Sequence, residues 1–324
     1  MLSKNEWDPL KSVIVGIADD AQIPLLDTSL RCVNYADREK AYTIPSGKYP
    51  NQVIDEANED LNTLANFLTS QGITVYRPDN IKPNYYNYCP RDTVLVHDDV
   101  ILATPNPLRA REFEYKALEK VLSTYKKIST IEIKRTAELY NTDCIGNPDV
   151  LALTEAEPSF DAANILRDND NLYYLVSNSG NKTGAECLRW LHPNKKVWTI
   201  EGVYSYMHLD STIALLREGL MLLNPARIKS ISQLPKPLQS WDVIWCPEPV
   251  DIGHYPGYCN ASTWVNMNLL SINPNLAVVE EHQDNLRIEL EKHNIQCEML
   301  PMRHARTLGG CFHCVTLDIV REHP

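Results

Sequence analysis

A helix followed by a short strand recurs five times along the chain, and this periodicity restricts the fold more than any single motif does. Residues 53–68 place apolar side chains at helical spacing, Gly72 suits the end of that helix, and residues 73–76 are typical of a strand. Residues 281–300 repeat this plan. Weaker copies span residues 112–133, 183–200 and 227–246. The sequence therefore predicts a fold built from five equivalent units.

A two-strand pattern comes before four of the five helix–strand pairs, with turn residues between its strands. The predicted strand pairs are 93–96 with 100–102, 164–166 with 172–176, 211–215 with 220–223, and 264–268 with 277–279. In the remaining unit, residues 314–320 can pair with residues 12–15, which removes an exposed sheet edge. We therefore expect an α/β fold in which one circular domain spans residues 1–324. An ordinary two-domain α/β protein is the alternative.

Charge and composition narrow the choice of partner. The 324 residues include 31 Lys and Arg against 42 Asp and Glu, a net charge of −11. Affinity for nucleic acid depends on basic residues that neutralise phosphates, so this balance predicts a small-molecule partner and no nucleic acid. No apolar run reaches the roughly 18 residues of a membrane span, and the N-terminus has no apolar signal segment. We expect a cytoplasmic protein without a membrane partner, whose nine cysteines are reduced.

Polar side chains recur where the first strand of a predicted unit begins. They are Asp92 after Arg91, Asp161, His208 with Asp210, Ser262, and Cys314. Equivalent positions in a circular array face one axis, so we expect these side chains to meet in one pocket. His208 and Asp210 lie two residues apart, which in a strand directs both side chains to the same face.

Such a pocket suits chemistry on a guanidinium group. Carboxylates without matching basic residues favour a cation, and Asp92 and Asp210 can hold a planar guanidinium bidentately. Cys314 then supplies the nucleophile, because a thiolate is the side chain best able to attack the guanidino carbon near neutral pH. His208 is the candidate general acid and base, with Asp161 as the partner that orients it and stabilises its charge.

The segment around Cys314 also permits a different interpretation. Cys311 and Cys314 form a Cys-x-x-Cys pair with His304 and His313 nearby, a composition found in zinc and dithiol sites. A zinc site needs about four ligands, however, and the sequence contains no second Cys/His cluster. Strand alternation would also turn His313 away from Cys314. A zinc- or thiol-binding protein is therefore the alternative from another functional class.

Six segments of the chain, in this order, match the pattern of a known family. They are Asn5–Leu10 opening onto Val13–Gly16, Pro90–Asp92, Glu157–Ala163, Met207–Asp210, Asn224–Arg227 and Leu308–Cys314. On these segments the chain resembles the amidinotransferases, typified by glycine amidinotransferase, in the guanidine-modifying pentein superfamily. The resemblance implies a pentein fold, a fivefold pseudosymmetric ββαβ propeller closed by the N- and C-terminal strands.

The resemblance also implies an activity. In that activity the amidino group of L-arginine passes to a cysteine, L-ornithine leaves, and an acceptor amine collects the group. The residues that match the family's site are the catalytic Cys314, His208 and Asp161 and the substrate-binding Asp92, Asp210, Arg227, Ser262 and Met207. Arg227 would receive the donor's α-carboxylate. The resemblance implies no cofactor and no metal.

Three questions stay open at the level of sequence. Arginine deiminase-like and dihydrolase-like penteins use the same residues with water as the acceptor, so hydrolysis is an alternative to transfer. The acceptor amine is unspecified: glycine, lysine or another amine would each fit. The oligomeric state is not determined either, and a homodimer is compatible with the sequence.

Overall fold

The computed structural model describes residues 2–38 and 40–323, and its strands there form five three-stranded sheets and one two-stranded sheet. In each three-stranded sheet the central strand pairs antiparallel with one neighbour and parallel with the other. For each sheet the antiparallel neighbour is named first, the central strand second and the parallel neighbour third. Sheet I contains Thr316–Arg321, Leu10–Val15 and Thr74–Tyr76; sheet II contains Val94–His97, Val100–Ala103 and Ser129–Thr130; and sheet III contains Ile165–Asp168, Asn171–Leu175 and Lys196–Ile200. Sheet IV contains Ile213–Arg217, Leu220–Leu223 and Asp242–Trp245, and sheet V contains Leu270–Asn273, Leu276–Glu280 and Gln296–Leu300. Gln22–Ile23 and Gly47–Lys48 form the two-stranded sheet.

An antiparallel strand pair is present in all five sheets, and in sheets I to IV it involves the segments predicted from the sequence. The two ends of the chain meet in sheet I, where Leu10–Val15 pairs antiparallel with Thr316–Arg321. Sheets I to V are separate from one another, so their strands do not form one closed sheet. The arrangement of the five sheets about a single fivefold axis stays a prediction.

An α-helix leads into the last strand of four sheets. The α-helices are Thr28–Val33, Asn51–Ser70, Lys116–Leu122, Lys182–Leu191, Asp284–Lys292 and Ala305–Leu308. The helix predicted between residues 227 and 246 is wrong: two 3₁₀ turns, Ile231–Gln233 and Lys236–Ser240, take its place before sheet IV's last strand. Pro235 and Pro237 account for this, because proline lacks the amide N–H that an α-helix needs. Within residues 2–38 and 40–323, no helix has the length and apolar character that crossing a bilayer demands.

The first strand predicted for sheet V is also wrong. Residues 264–268 belong to a 3₁₀ helix, Thr263–Met267, and its C-cap, and the strand begins at Leu270. The amide of Asn266 donates to the carbonyl of Val250 at 2.8 Å. Asn268 Oδ1 accepts the backbone N–H of Cys314 at 3.0 Å. These side-chain bonds to distant backbone favour a turn over a strand, whatever the apolar alternation suggests.

A buried ion cluster lies beneath the ends of three sheets. Asp318 of sheet I accepts hydrogen bonds from Arg91 at 2.7 Å and from Arg321 at 2.6 Å. Arg167 of sheet III binds both Asp318, at 2.8 Å, and Glu6, at 2.6 Å. Although burial alone raises the pKa of Asp318, the three arginines hold it well below its usual range. The cluster therefore joins the N-terminal segment to strands that are far apart in sequence.

Breaking this cluster should destabilise the protein strongly. Asp318→Asn should lower the free energy of unfolding by about 3–5 kcal/mol, because it leaves buried arginines without their counter-charge. Denaturant unfolding measures this, with the exposed Glu291 of the Arg287 ion pair as the control, since Glu291→Gln should cost less than about 1 kcal/mol.

The contribution of the cluster to the free energy of unfolding should decrease at acidic pH. The pKa values of Asp318 and Glu6 are depressed in the folded chain, so their contribution is present above the ordinary carboxyl pKa of about 4. It is lost as the pH falls towards the depressed values. Two results would contradict this account. One is a decrease of less than about 1 kcal/mol in the free energy of unfolding of Asp318→Asn; the other is the same loss of stability at acidic pH in the variant as in the wild type.

Candidate active site

A cavity of about 350 Å³ collects six of the eight residues that the sequence assigned to a site. The six are Met207, His208, Asp210, Arg227, Ser262 and Cys314. Asp161 and Asp92 are buried, and both lie beside His208. The structure therefore brings all eight residues together, although they come from segments up to 222 positions apart, as from Asp92 to Cys314.

His208 is held between two buried carboxylates. Its Nε2 donates to Asp161 Oδ2 at 2.8 Å, and its Nδ1 lies 3.9 Å from Asp92 Oδ1. Asn106 donates a hydrogen bond to the other oxygen of Asp161 and so fixes that carboxylate. Burial alone would lower the pKa of His208, but the charges of Asp92, Asp161 and Asp210 raise it to about 9. At neutral pH His208 is therefore an imidazolium, ready to give up a proton.

The predicted strand that was to carry His208 and Asp210 is not formed. Both residues lie in the turns before Ile213, and His208 has a left-handed backbone with φ = 55°. The N–H of Leu209 donates to the carbonyl of Ala163 at 3.0 Å, and the Leu209 side chain is fully buried in the core. His208 and Asp210 both line the cavity, as predicted, but a turn and not a strand places them there.

Cys314 lies in a turn that two glycines make possible. A Cβ atom on Gly310 would lie 2.5 Å from Cys89 Sγ and 2.7 Å from Cys314 Cβ, so only glycine fits there. The Cys314 thiol donates to Asp210 Oδ2 at 3.3 Å. Contact with Cys89, burial and the negative charge of Asp210 raise the pKa of Cys314 well above its ordinary value. The thiol is thus protonated in the free protein.

The two carboxylates predicted to hold a guanidinium have different surroundings. Asp210 lines the cavity and binds His313 Nδ1 through Oδ2 at 2.9 Å. Asp92 binds the buried Arg111 through Oδ2 at 2.6 Å. Among the described residues, no donor lies within hydrogen-bond distance of the buried Asp92 Oδ1. A buried carboxylate oxygen without a partner is costly and points to a cationic or hydrogen-bonding ligand.

Arginines also line the cavity. Arg227 Nη1 donates to Ser211 Oγ at 2.8 Å and to Thr212 Oγ1 at 2.7 Å, and its guanidinium stacks 3.5 Å from the ring centre of Tyr204. Arg38 and Arg306 line the same cavity. The cavity that contains Cys314 is therefore lined by side chains of both charges.

Several residues of the site were not predicted from the sequence. Arg111 and Asn106, which bind Asp92 and Asp161, lie outside the repeated positions and carry no local signal. His313 was excluded by the assumption of a strand, but residues 312–315 form a turn. The turn lets His313 and Cys314 both reach Asp210. The Gly-Gly pair just before them was the available clue.

The alternative zinc site is not assembled. His304 Nε2 binds Glu56 at 2.7 Å, and His313 binds carboxylates. Over residues 2–38 and 40–323, the one group that could place three metal-ligand atoms together is Glu280, Glu281 and His282. That group contains neither Cys311 nor Cys314.

Comparisons with known proteins agree with the resemblance found in the sequence, although no family model matches the chain. The chain is 41% identical to inosamine-phosphate amidinotransferase 1 of Streptomyces glaucescens, over 98% of this chain and 95% of that protein. It is 31% identical to the mitochondrial glycine amidinotransferase of Xenopus tropicalis, over 99% of this chain and 82% of that protein. The L-arginine:L-lysine amidinotransferase of Pseudomonas savastanoi pv. phaseolicola is 29% identical, over 99% and 94%.

The chain belongs to the amidinotransferase family, and it is therefore a transferase. A solved structure of inosamine-phosphate amidinotransferase from Streptomyces griseus superposes with a TM-score of 0.93 at 40% identity, covering 100% of this chain and 97% of that one. A dimethylarginine dimethylaminohydrolase structure from Pseudomonas aeruginosa shares the fold, with a TM-score of 0.63 at 14% identity over 95% of this chain and 99% of that one.

The charge state of His208 can be measured directly. We expect its ring protons to titrate with a pKa near 9 in NMR spectra, assigned by their loss in His208→Gln. Asp161→Asn should move this pKa down towards the ordinary value of about 6.5, because it removes one of the carboxylates that stabilise the imidazolium. A wild-type pKa at or below about 6.5 would refute the site electrostatics described here.

Proposed function

We propose that the protein transfers the amidino group of L-arginine to an acceptor amine through a covalent amidino-Cys314 intermediate and releases L-ornithine. The observation that supports this most strongly is the position of the Cys314 thiol. It lies on one cavity with the His208 imidazolium and the Asp210 carboxylate, and His208 Nδ1 is 3.9 Å from the unpartnered oxygen of Asp92. A cavity lined by both Asp210 and Arg227 suits a substrate that has a guanidinium at one end and a carboxylate at the other.

Binding of arginine would also activate the nucleophile. The guanidinium would lie between Asp92 and Asp210, and its positive charge would offset the carboxylates that keep the pKa of Cys314 high. Arg227 would hold the α-carboxylate, since its guanidinium is fixed on Tyr204. The thiol proton would pass to solvent, which leaves a thiolate beside the guanidino carbon.

The chemistry then divides into two half-reactions. The thiolate attacks the guanidino carbon, a carbon–sulfur bond forms, and the bond to the δ-nitrogen breaks as His208 protonates that nitrogen. Ornithine leaves. Neutral His208 next accepts a proton from the acceptor amine, the amine nitrogen attacks the amidino carbon, and the carbon–sulfur bond breaks to regenerate the thiolate. Asp161 stabilises the imidazolium in both steps.

For the acceptor we propose an amine that also carries a phosphate. Two proteins similar over almost the whole chain are named for inosamine phosphate. Arg38 lines the cavity in addition to Arg227 and is a candidate to bind an anion beyond the donor's carboxylate. Arg306 also lines the cavity, but it is paired with Asp251 at 2.5 Å. Glycine and lysine, which the names of other relatives contain, are the competing acceptors.

The test is a product analysis. The protein is incubated with arginine alone and with arginine plus an inosamine phosphate, glycine or lysine, and ornithine and citrulline are quantified. We expect ornithine that depends on the acceptor, highest with the inosamine phosphate. Citrulline as the sole product, with or without amine, would mean hydrolysis and would overturn the proposal.

Variants separate the nucleophile from other thiols. Cys314→Ala should abolish turnover, whereas Cys187→Ala on the helix Lys182–Leu191 should leave it unchanged, because Cys187 lies outside the cavity. His208→Gln should be nearly as damaging as Cys314→Ala, since residues that act as a unit lose activity non-additively. Normal turnover by Cys314→Ala would refute the covalent mechanism.

The role of Arg227 predicts a specific loss of donor selectivity. Wild-type protein should prefer arginine over agmatine, which has the same guanidinium but no carboxylate. Arg227→Met should raise KM for arginine about 10- to 100-fold, the range expected for a hydrogen bond between charged groups. It should affect agmatine little, so that the preference disappears. An unchanged arginine-to-agmatine ratio would show that Arg227 does not bind the donor's carboxylate.

A further inference from the structure

His313 precedes the proposed nucleophile and is held at both ring nitrogens. Its Nδ1 lies 2.9 Å from Asp210 Oδ2, and its Nε2 lies 3.3 Å from Glu6 Oε2. The backbone around the ring is fixed as well, because Arg91 Nε donates to the His313 carbonyl at 2.7 Å. The side chain is 11% exposed, so water does not compete freely for these contacts.

The geometry defines the charge that the ring carries. A neutral imidazole has one N–H, whereas two carboxylate oxygens face the two nitrogens of His313. Two ionised carboxylates are both satisfied only when both ring nitrogens donate, as they do in an imidazolium. Glu6 is itself fixed by Arg167, at 2.8 and 2.6 Å, so the ring is anchored to the buried ion cluster.

The ring's other neighbour is the carboxylate at the centre of the site. Asp210 Oδ2 accepts from His313 and from the Cys314 thiol, and Asp210 lines the cavity. Burial alone raises the pKa of Asp210, but His313 and, more distantly, His208 hold it well below its usual range. Without a cation behind it, a carboxylate buried this deeply would tend to take up a proton.

We infer that His313 is a positioning residue for the amidino transfer: its buried ring is held between Glu6 and Asp210 and aims the Asp210 carboxylate at both Cys314 and the substrate's guanidinium. The inference rests on the proposed function. His313 acts through Asp210, and it connects the reacting end of the cavity to the ion cluster formed by Glu6, Arg91, Arg167, Asp318 and Arg321.

Two amide substitutions separate the two contacts of the ring. Asn at position 313 can place its side-chain N–H near the position of Nδ1, so His313→Asn can keep the donor to Asp210 while it loses the charge and the bond to Glu6. Gln reaches the position of Nε2, so His313→Gln can keep the donor to Glu6 and lose the one to Asp210. His282→Gln, at an exposed histidine outside the cavity, is the matched control.

The kinetic expectation follows from the loss of the Asp210 contact. His313→Gln should reduce kcat/KM for arginine about 10- to 100-fold, mostly through a higher KM, because a donor to a charged group is removed. His313→Asn should lose less than His313→Gln, and His282→Gln should match the wild type. Thermal unfolding of each variant reports whether a loss reflects a damaged fold.

The pH profile distinguishes positioning from a purely structural role. The groups that face Asp210 are His313 and Cys314 from the turn after Gly310, His208 from its own segment, and Asn268. In His313→Gln the pKa of Asp210 should rise. On the acidic side of the pH profile, which we call the acid limb, kcat/KM should therefore begin to fall at a higher pH than in the wild type. His313→Asn should shift the limb less.

The outcomes identify which claim fails. If wild-type protein releases no ornithine from arginine with any acceptor, the proposed function is wrong. If wild type is active and folded His313→Gln has wild-type KM and acid limb, the inference about His313 is wrong. If His313→Gln does not fold, His313→Asn decides: an acid limb identical to wild type overturns the inference, and a limb moved to higher pH supports it.

Discussion

The buried ion cluster of Glu6, Arg91, Arg167, Asp318 and Arg321 is the interaction on which the rest of the structure depends. It has three cations and two anions in a region closed to water, so each charge is tolerated only while its partners stay in place. These residues come from both ends of the chain and from the start of sheets II and III. The cluster therefore fixes how the repeats meet beneath the cavity.

A series of hydrogen bonds connects the ion cluster to the active site. Glu6 binds His313, His313 binds Asp210, and Asp210 binds the Cys314 thiol. The Asp210 carboxylate accepts a hydrogen bond from the Cys314 thiol and, with the contact to Cys89 and burial, keeps the thiol protonated until a cation arrives. In this account the substrate itself completes the electrostatics of the site, and the nucleophile is activated only when its target is bound.

Much of this arrangement could be predicted from the sequence because local patterns encode it. Strand pairs such as 94–97 with 100–103 show apolar strands around a polar turn, and their repetition revealed the equivalent positions of Asp161 and Cys314. Contacts between distant segments could not be predicted. Residues 264–268 alternate apolar and polar side chains like a strand, but Asn268 accepts the N–H of Cys314, a contact between segments that the local pattern does not show. The Arg111 partner of Asp92 has no local signal either.

The covalent intermediate is the central claim, and a labelling experiment tests it most directly. Arginine labelled at the guanidino carbon is mixed with the protein without acceptor, and the protein is digested for peptide mapping. We expect one ornithine to be released per active site and the label to lie on the peptide that contains Cys314. Addition of an acceptor amine should remove this label. Label on another residue, or acceptor-dependent ornithine formed with no labelled protein at any time, would contradict it.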